Sequence, residues 1–239
     1  MSAAIEMPSV SATTGEIGWY GKLPAAGDFL MRRLPDSFRL PWDQWLCAGM
    51  IEAKEQFSDD WEAAFLSFPV WRFLWHAGAA QVPVWAGVLV PGVDRVGRLF
   101  PLTVALPIDQ AGLARRSIAA LDRQLDAIQV LALRVLEDDD IEAFDRELRA
   151  LTVSHEGESA PNPWLQASSA TPTVLAGIDA AGWIESLGLR QWLGSAPSVL
   201  FWTRDPEGTD VLRIEDCPPA STSFGAMLGA RQPLHEPVP

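Results

Sequence analysis

Apolar residues recur at three- and four-residue steps in several stretches of the chain, which is the spacing of an amphipathic helix. The first stretch begins at Pro41, a residue suited to the first position of a helix. Its apolar positions are Trp42, Trp45, Leu46, Gly49, Met50, Ala53 and Phe57. Ser58 is predicted to cap a short helix that ends at Phe65. The same spacing predicts helices at residues 118–135, 141–151, 180–189 and 221–228.

The acidic run at residues 137–140 precedes the second of those later helices. Acidic side chains favour a helix N-terminus, so Asp139 is predicted to be the cap. A metal site is the weaker interpretation, because no histidine or further acidic cluster follows at ligand spacing.

Runs rich in apolar and aromatic residues predict the strands. They fall at residues 17–22, 70–76, 82–90 and 99–106, and a hairpin is predicted from 198–203 and 209–214 around the turn sequence at 205–208. Short connections favour antiparallel neighbours. Helices in two groups around these strands predict an α/β fold, a single three-layer α-β-α sandwich with a mixed, partly antiparallel central sheet.

The 239-residue chain shows no long linker, repeat or low-complexity tract. We therefore predict one domain over residues 16–229. The small and polar residues 1–15 and the proline-rich residues 230–239 are expected to be flexible ends.

Two segments differ from ordinary strands. The first motif segment, residues 18–30, reads GWYGKLPAAGDFL, and the second motif segment, residues 91–101, reads PGVDRVGRLFP. Glycine permits positive φ and close backbone approach, while proline fixes φ. Such charged and irregular segments indicate turns that hold one shape, often because a site lies there.

Composition narrows the choice of partner. The formal net charge of −13 disfavours nucleic acid and anionic membrane surfaces, because both require a basic footprint. The N-terminal residues lack the charge and the apolar core of a signal peptide, and no run of apolar residues is long enough to span a bilayer. A cytoplasmic location is expected, with Cys47 and Cys217 as reduced, buried or partly buried thiols.

The sequence lacks the motifs of several enzyme classes. Gly21-Lys22 suggests a phosphate-binding loop, but Glu16 occupies the position of the required glycine and Leu23 replaces the magnesium-binding Ser or Thr. No Gly-x-Ser-x-Gly motif occurs. The histidines, His76, His155 and His235, are far apart in the sequence. We expect no enzymatic activity, no metal and no cofactor.

The strongest charged cluster is Asp94, Arg95 and Arg98. In one interpretation Asp94 caps its turn through backbone donors while the arginines pair with Asp28 or Asp43. In the other the arginines hold a carboxylate or phosphate of a partner. Both can be true, because a segment fixed by ion pairs is also a docking platform.

Aromatic residues also allow two interpretations. Trp42 and Trp45 share a helix face, and Trp71, Phe73 and Trp75 share a strand face. A core role is the default for such residues, although aromatic residues and arginine are enriched at interfaces. The simplest role for Lys22 is a stem packed on Trp19 or Tyr20 with its ammonium in water.

The motifs together resemble a known family. Gly21-Lys22-Leu23-Pro24, Gly27-Asp28-Phe29 and Trp42-Asp43-Gln44-Trp45-Leu46 resemble the opening of TagF, an accessory protein of the bacterial type VI secretion system. Residues 71–73, 87–89 and 93–102 continue the resemblance, and residues 198–202 and 218–228 echo it. It runs from about residue 17 to about residue 228.

The resemblance implies a single α/β sandwich and a non-enzymatic regulator or adaptor that represses type VI secretion after translation. It implies a cytoplasmic partner, the forkhead-associated scaffold protein Fha of the same system. The alternative is an enzyme or small-molecule sensor with a cleft lined by Asp28, Asp94, Arg95 and Arg98. The partner-binding or segment-organising residues are predicted to be Trp19, Tyr20, Lys22, Asp28, Phe29, Trp42, Asp43, Asp94, Arg95, Arg98 and Phe100.

We further predict that the two motif segments lie side by side, because the strands that precede them can end at the same edge of one sheet. Asp28 or Asp43 would then meet Arg95 or Arg98. The exposed remainder is predicted to include Lys22, Phe29, Arg32 and Arg33.

Overall fold

The fold is described from a computed structural model of the chain. The structure describes residues 15–78, 82–138, 140–151, 173–187, 192, 196–204 and 210–229. The predicted flexible ends therefore lie outside the described residues, except for Gly15.

Eight strands and seven α-helices occur in these ranges. The strands are β1 Gly18–Gly21, β2 Leu30–Arg32, β3 Trp71–His76, β4 Val84–Val90, β5 Leu102–Ile108, β6 Thr173–Ile178, β7 Ser198–Arg204 and β8 Asp210–Asp216. The helices are α1 Asp36–Phe57, α2 Trp61–Leu66, α3 Gln110–Arg115, α4 Ile118–Arg134, α5 Ile141–Ala150, α6 Ala180–Leu187 and α7 Thr222–Leu228. A short 3-10 helix, Ser58–Asp60, joins α1 to α2. None of the helices in these ranges combines the length and apolar character that crossing a bilayer requires.

The strands form one sheet in the order β2-β1-β5-β4-β3-β7-β8-β6. Every pairing in the described residues is antiparallel, so the prediction of a mixed sheet was wrong. The short connections between β3, β4 and β5 dictate hairpins, whereas a parallel pair needs a long crossover. The predicted hairpin near the C-terminus is confirmed, with Ser198 opposite Asp216 and Arg204 opposite Asp210.

Alternating side chains of the strands supply two separate apolar clusters. In β4, Val84, Ala86, Val88 and Val90 belong to one cluster, and Trp85 and Leu89 belong to the other. The first cluster includes buried residues of α4, α5 and α6, and the second includes buried residues of α1, α2 and α7. Neighbouring residues of one strand therefore pack in different clusters, and each cluster has its own helices.

Helix α1 begins five residues before the predicted start. Pro35 has the extended backbone of an N-cap, and Pro41 lies inside the helix. The backbone N–H groups of Phe38 and Arg39 donate to the Pro35 carbonyl, which closes the first turn. Pro41 removes one intrahelical donor but does not prevent the helix, because Phe38 and Trp42 on either side of it are buried in the core.

Two predicted caps were wrong. Ser58 follows α1 with a positive φ of 48°, and its hydroxyl donates to the Glu55 carbonyl, so it ends one helix instead of capping the next. The cap of α5 is Asp140, whose carboxylate accepts from the Ala143 N–H at 2.8 Å. Asp139 lies outside the described residues.

The other predicted helices and strands are confirmed to within a few residues, and α6 is described as far as Leu187. The sequence analysis missed β2, α3 and β6. Cys47 and Cys217 are free, as predicted, but Cys47 is exposed.

Most tryptophans in the described residues are core residues. The buried ones are Trp19, Trp42, Trp45, Trp71, Trp75, Trp85, Trp192 and Trp202. The centre of the Trp42 ring lies 4.4 Å from that of the Phe73 ring and 5.0 Å from that of the Trp45 ring. The Trp42 indole N–H donates to the Thr103 hydroxyl at 2.8 Å. The core interpretation therefore holds for Trp42 and Trp45.

Trp42→Ala and Trp45→Ala should each lower the free energy of unfolding by about 3–5 kcal/mol, because each change removes a buried indole and leaves a cavity. Gln44→Ala is the matched control on the exposed side of the same helix, where a change within about 0.5 kcal/mol is expected. Urea unfolding of the three variants measures the difference. Equal midpoints for Trp45→Ala and the parent protein would contradict this assignment of the core.

Candidate functional site: two interlocked motif segments

The register of the sheet brings the two motif segments together. Tyr20 near the end of β1 pairs with Thr103 near the start of β5, and Val90 at the end of β4 pairs with Leu102. The chain therefore leaves β1 at the same edge at which it turns from β4 into β5. The predicted proximity of the two segments is confirmed.

Two glycines permit this close approach. A Cβ on Gly21 would lie 2.4 Å from the Pro101 carbonyl oxygen, and Gly21 has a positive φ of 151°. A Cβ on Gly92 would lie 2.4 Å from the Phe100 oxygen and 2.8 Å from the Lys22 oxygen. Any side chain at either position would push the segments apart.

Hydrogen bonds from the second segment to backbone carbonyls of the first join the two segments directly. The Arg95 N–H donates to the Ala26 carbonyl at 2.9 Å, and the Arg98 guanidinium donates to the Gly27 carbonyl. Within the first segment, the Ala26 N–H closes a turn onto the Leu23 carbonyl at 3.0 Å. The turn of one segment is thus fixed against the other.

The carboxylate of Asp94 is the centre of this arrangement. It is 3% exposed, and its Oδ1 accepts from the backbone N–H groups of Val96 at 3.0 Å and Arg98 at 2.9 Å. Its Oδ2 lies 2.7 Å from Arg98 Nε and 3.3 Å from Lys22 Nζ. The prediction that Asp94 caps its turn through backbone donors is confirmed.

The predicted ion pairs of the arginines were wrong. Arg98 pairs with Asp94 in its own turn instead of with Asp28 or Asp43. The carboxylate of Asp28 accepts from the neighbouring Phe29 N–H at 2.8 Å, and that of Asp43 accepts from the Tyr20 hydroxyl at 2.6 Å. In the described part of the chain, Arg95 forms no ion pair.

Lys22 also differs from its predicted role. It is 6% exposed, so its ammonium is not in water but next to Asp94 and 5.0 Å from the centre of the Phe29 ring. A buried carboxylate and a buried ammonium each lose hydration, and their mutual attraction offsets that loss only in good geometry. This pair therefore stabilises one relative position of the two segments.

Hydrogen bonds decide the protonation of Asp94. Burial opposes its ionisation, but donation from the backbone and side chain of Arg98, from Lys22 and from the Val96 N–H outweighs burial and lowers the pKa of Asp94 well below its usual range. The carboxylate is therefore ionised and fully engaged at neutral pH.

Aromatic rings hold Phe29 in place. Its ring stacks on Tyr20 with centres 5.6 Å apart and meets Phe100 edge-on at 4.8 Å. Tyr20 and Phe100 are buried, whereas Phe29 is 42% exposed. Phe29 is thus an exposed ring on a rigid aromatic support.

The predicted site residues fall into two groups. The buried or half-buried ones are Trp19, Tyr20, Lys22, Trp42, Asp43, Asp94 and Phe100. Those that face solvent are Asp28, Phe29, Arg95 and Arg98. Among the described residues, no group of three metal-ligating side chains occurs.

Sequence reasoning missed Asp145, which anchors the first segment from α5. Its Oδ1 accepts from the Trp19 indole at 2.8 Å and from Arg33 at 2.6 Å, and Arg149 lies 3.2 Å from its Oδ2. Burial opposes ionisation of Asp145, but the hydrogen bonds from Arg33 and Trp19 prevail and lower its pKa. A signal existed, because Asp145 falls on the apolar stripe of α5 with Phe144 and Leu148.

Two neighbouring arginines were predicted to be exposed, and both are only partly so. Arg33 has a positive φ of 58° and donates to the Ile17 carbonyl at 2.8 Å as well as to Asp145. Arg32 lies 3.4 Å from Glu142. The sequence analysis also missed the exposed apolar residues Met31 and Val96, which are 43% and 65% exposed.

Asp94→Asn should destabilise the protein at pH 7, because it weakens the acceptor and leaves Lys22 buried without its counter-charge. The folded-state pKa of Asp94 is lowered, so its stabilisation is present above the unfolded pKa of about 3.9 and is lost as pH falls. The variant should therefore lose less stability than the parent protein between pH 7 and about pH 3.

Urea unfolding at both pH values tests this prediction, with Asp28→Asn as the matched control in the same segment. Asp28 is exposed and accepts only a local hydrogen bond, so its replacement should leave both values unchanged. An Asp94→Asn variant as stable as the parent protein at pH 7 would contradict the central role of Asp94.

Tyr20 is the single tyrosine of the chain, so tyrosinate absorbance reports on it alone. Burial raises its pKa above the usual range, and the hydrogen bond to Asp43 raises it further. In folded protein the absorbance rise should begin well above pH 10, whereas in denaturant its midpoint should lie at about pH 10. Asp43→Asn should lower the folded midpoint but keep it above that of the unfolded chain. A folded midpoint equal to the unfolded one would show that Tyr20 is exposed.

A family of known proteins matches the part of the chain that contains these residues. The family described as TagF N-terminal domain, type VI secretion system-associated, matches residues 18–151, which include both motif segments, α1 and α5. The crystal structure of PA0076 from Pseudomonas aeruginosa PAO1 is similar, with 28% sequence identity and a TM-score of 0.63 over 93% of this chain and 100% of that chain. Among curated proteins, no sequence matches. The chain belongs to the TagF N-terminal domain family, which is associated with the type VI secretion system.

Proposed function

We propose that this protein is a non-enzymatic regulator that represses type VI secretion after translation by binding a cytoplasmic component of the system. Family membership supports an accessory role in that system. The partner we propose is the forkhead-associated scaffold protein Fha, which the resemblance to TagF implies. The binding surface we propose is the exposed part of the two motif segments.

The observation that carries this proposal is a difference in exposure. The residues that join the two motif segments are buried, whereas the side chains beside them face solvent. Asp94 and Lys22 are buried and fix the two segments, while Phe29, Arg95 and Val96 face solvent. A rigid exposed aromatic ring loses little entropy when it binds, and aromatic residues and arginine are the usual hot spots of interfaces. The fixed segments therefore suit recognition of another protein.

The alternative of an enzyme or sensor cleft requires Asp94 to face a ligand. Each of its carboxylate oxygens already accepts two hydrogen bonds or ion pairs from the chain. A carboxylate engaged in this way has no free position for a substrate proton or a ligand donor. For this reason we favour the binding role over the cleft.

The experiment uses a strain in which overproduction of the parent protein silences type VI secretion. Arg95→Glu changes an exposed side chain, and Phe29→Ala removes a ring that is 42% exposed and packs on Tyr20 and Phe100. Asp94→Arg, by contrast, would add a cation beside Lys22 and Arg98 in the buried centre and unfold it. Arg123→Glu, an exposed arginine on α4, is the matched control for the charge reversal. Phe29→Ala should weaken binding to Fha by about 30-fold, as expected for a hot-spot aromatic residue.

We expect both variants to fold, to lose silencing and to capture less Fha, while Arg123→Glu behaves like the parent protein. Folded variants that still silence secretion and still capture Fha would exclude this surface. A parent protein that captures no component of the secretion system would contradict the proposed function itself.

A further inference from the structure

Helix α1 carries a second stripe opposite its buried face. Leu40, Gln44, Cys47 and Ile51 follow one another at steps of four, three and four residues, the spacing of a coiled-coil seam. All four are exposed, Leu40 by 53% and Ile51 by 67%. The core of this protein needs only the stripe that contains Trp42 and Trp45, so the second stripe has no partner within the described fold.

We infer that a second copy of the chain covers this stripe, with the two α1 helices packed antiparallel about a two-fold axis between Gln44 and Cys47. In that arrangement Leu40 of one copy lies against Ile51 of the other, and the same contact recurs on the far side of the axis. The two large apolar residues of each seam are thus removed from water. This inference does not depend on the proposed function.

The charges beside the seam select the antiparallel direction. Asp36 and Lys54 lie on the same side of the stripe, about equally far from its centre, so antiparallel packing places each beside the other of the second copy. The Asp36 side chain is 70% exposed, and its Oδ1 accepts from Arg39 of the same helix at 2.7 Å. In the described part of the chain, Lys54 is exposed and forms no ion pair. Parallel packing would instead place Asp36 of one copy and Lys54 of the other at opposite ends of the helix pair, where they cannot meet.

A single helix pair gives a weak dimer. Such a contact buries less than the roughly 800 Å² per partner of a standard stable interface. The polar Gln44 near the axis also lowers affinity while it fixes the register. Self-association should therefore be visible only at high protein concentration.

Sedimentation velocity of the full chain over a dilution series tests the inference. The parent protein should change from monomer to dimer as its concentration rises. Leu40→Glu combined with Ile51→Glu should weaken self-association at least tenfold, while Val130→Glu, an exposed apolar residue on α4, should leave it unchanged. Melting temperatures confirm that each variant is folded.

A charge swap tests the direction of packing. Asp36→Lys alone and Lys54→Asp alone should each weaken the dimer, and the two changes together should restore it. Restoration supports the antiparallel arrangement, and failure of the combined variant to recover would overturn it.

The exposed thiol of Cys47 gives an independent readout. A short bismaleimide should join two copies through Cys47, and Cys47→Ser should abolish the product. Burial raises the pKa of the Cys217 thiol to about 12, so that second thiol reacts poorly. A chain that stays monomeric up to millimolar concentration, or a dimer that survives the Leu40 and Ile51 changes, would overturn the inference.

Discussion

The buried ion pair between Lys22 and Asp94 is the interaction on which the arrangement of the motif segments depends. Each charge comes from a different segment, and both residues are buried. Such a pair tolerates little displacement, because separation would leave two buried charges without compensation. Arg98 and two backbone N–H groups complete the coordination of the carboxylate, so Asp94 both closes the turn of the second segment and contacts Lys22 of the first.

The sheet supplies the geometry that makes this pair possible. An antiparallel sheet with β5 between β1 and β4 brings the end of β1 and the turn after β4 to one edge. Glycines at positions 21 and 92 then allow the two backbones to approach within contact distance. On the other side of β1, Asp145 ties Trp19 and Arg33 to α5, so the strand that leads to Lys22 is fixed at both ends. A stable scaffold thus presents Phe29, Arg95 and Val96 to solvent.

Local patterns predicted most of the helices and strands, because the spacing of apolar residues reflects which face is buried. They did not predict β2 and β6, which are short or lack a clear alternation, nor the start of α1, where core packing of Phe38 outweighed the cost of an internal proline. The sequence also singled out the two motif segments, since glycine, proline and charge mark segments of fixed shape, and the structure places them side by side. It did not identify the partner of Lys22, because the choice among Asp28, Asp43 and Asp94 depends on three-dimensional distances that spacing does not contain.

Hydrogen exchange of individual backbone amides measures whether the two motif segments form one rigid platform. The N–H groups of Arg95, Val96 and Arg98 belong to exposed residues, yet each is bonded, to the Ala26 carbonyl or to the Asp94 carboxylate. If the platform is rigid, these three amides should exchange as slowly as those of the adjoining strands β4 and β5. Exchange at the rate of an unstructured chain, with β4 and β5 still protected, would contradict it.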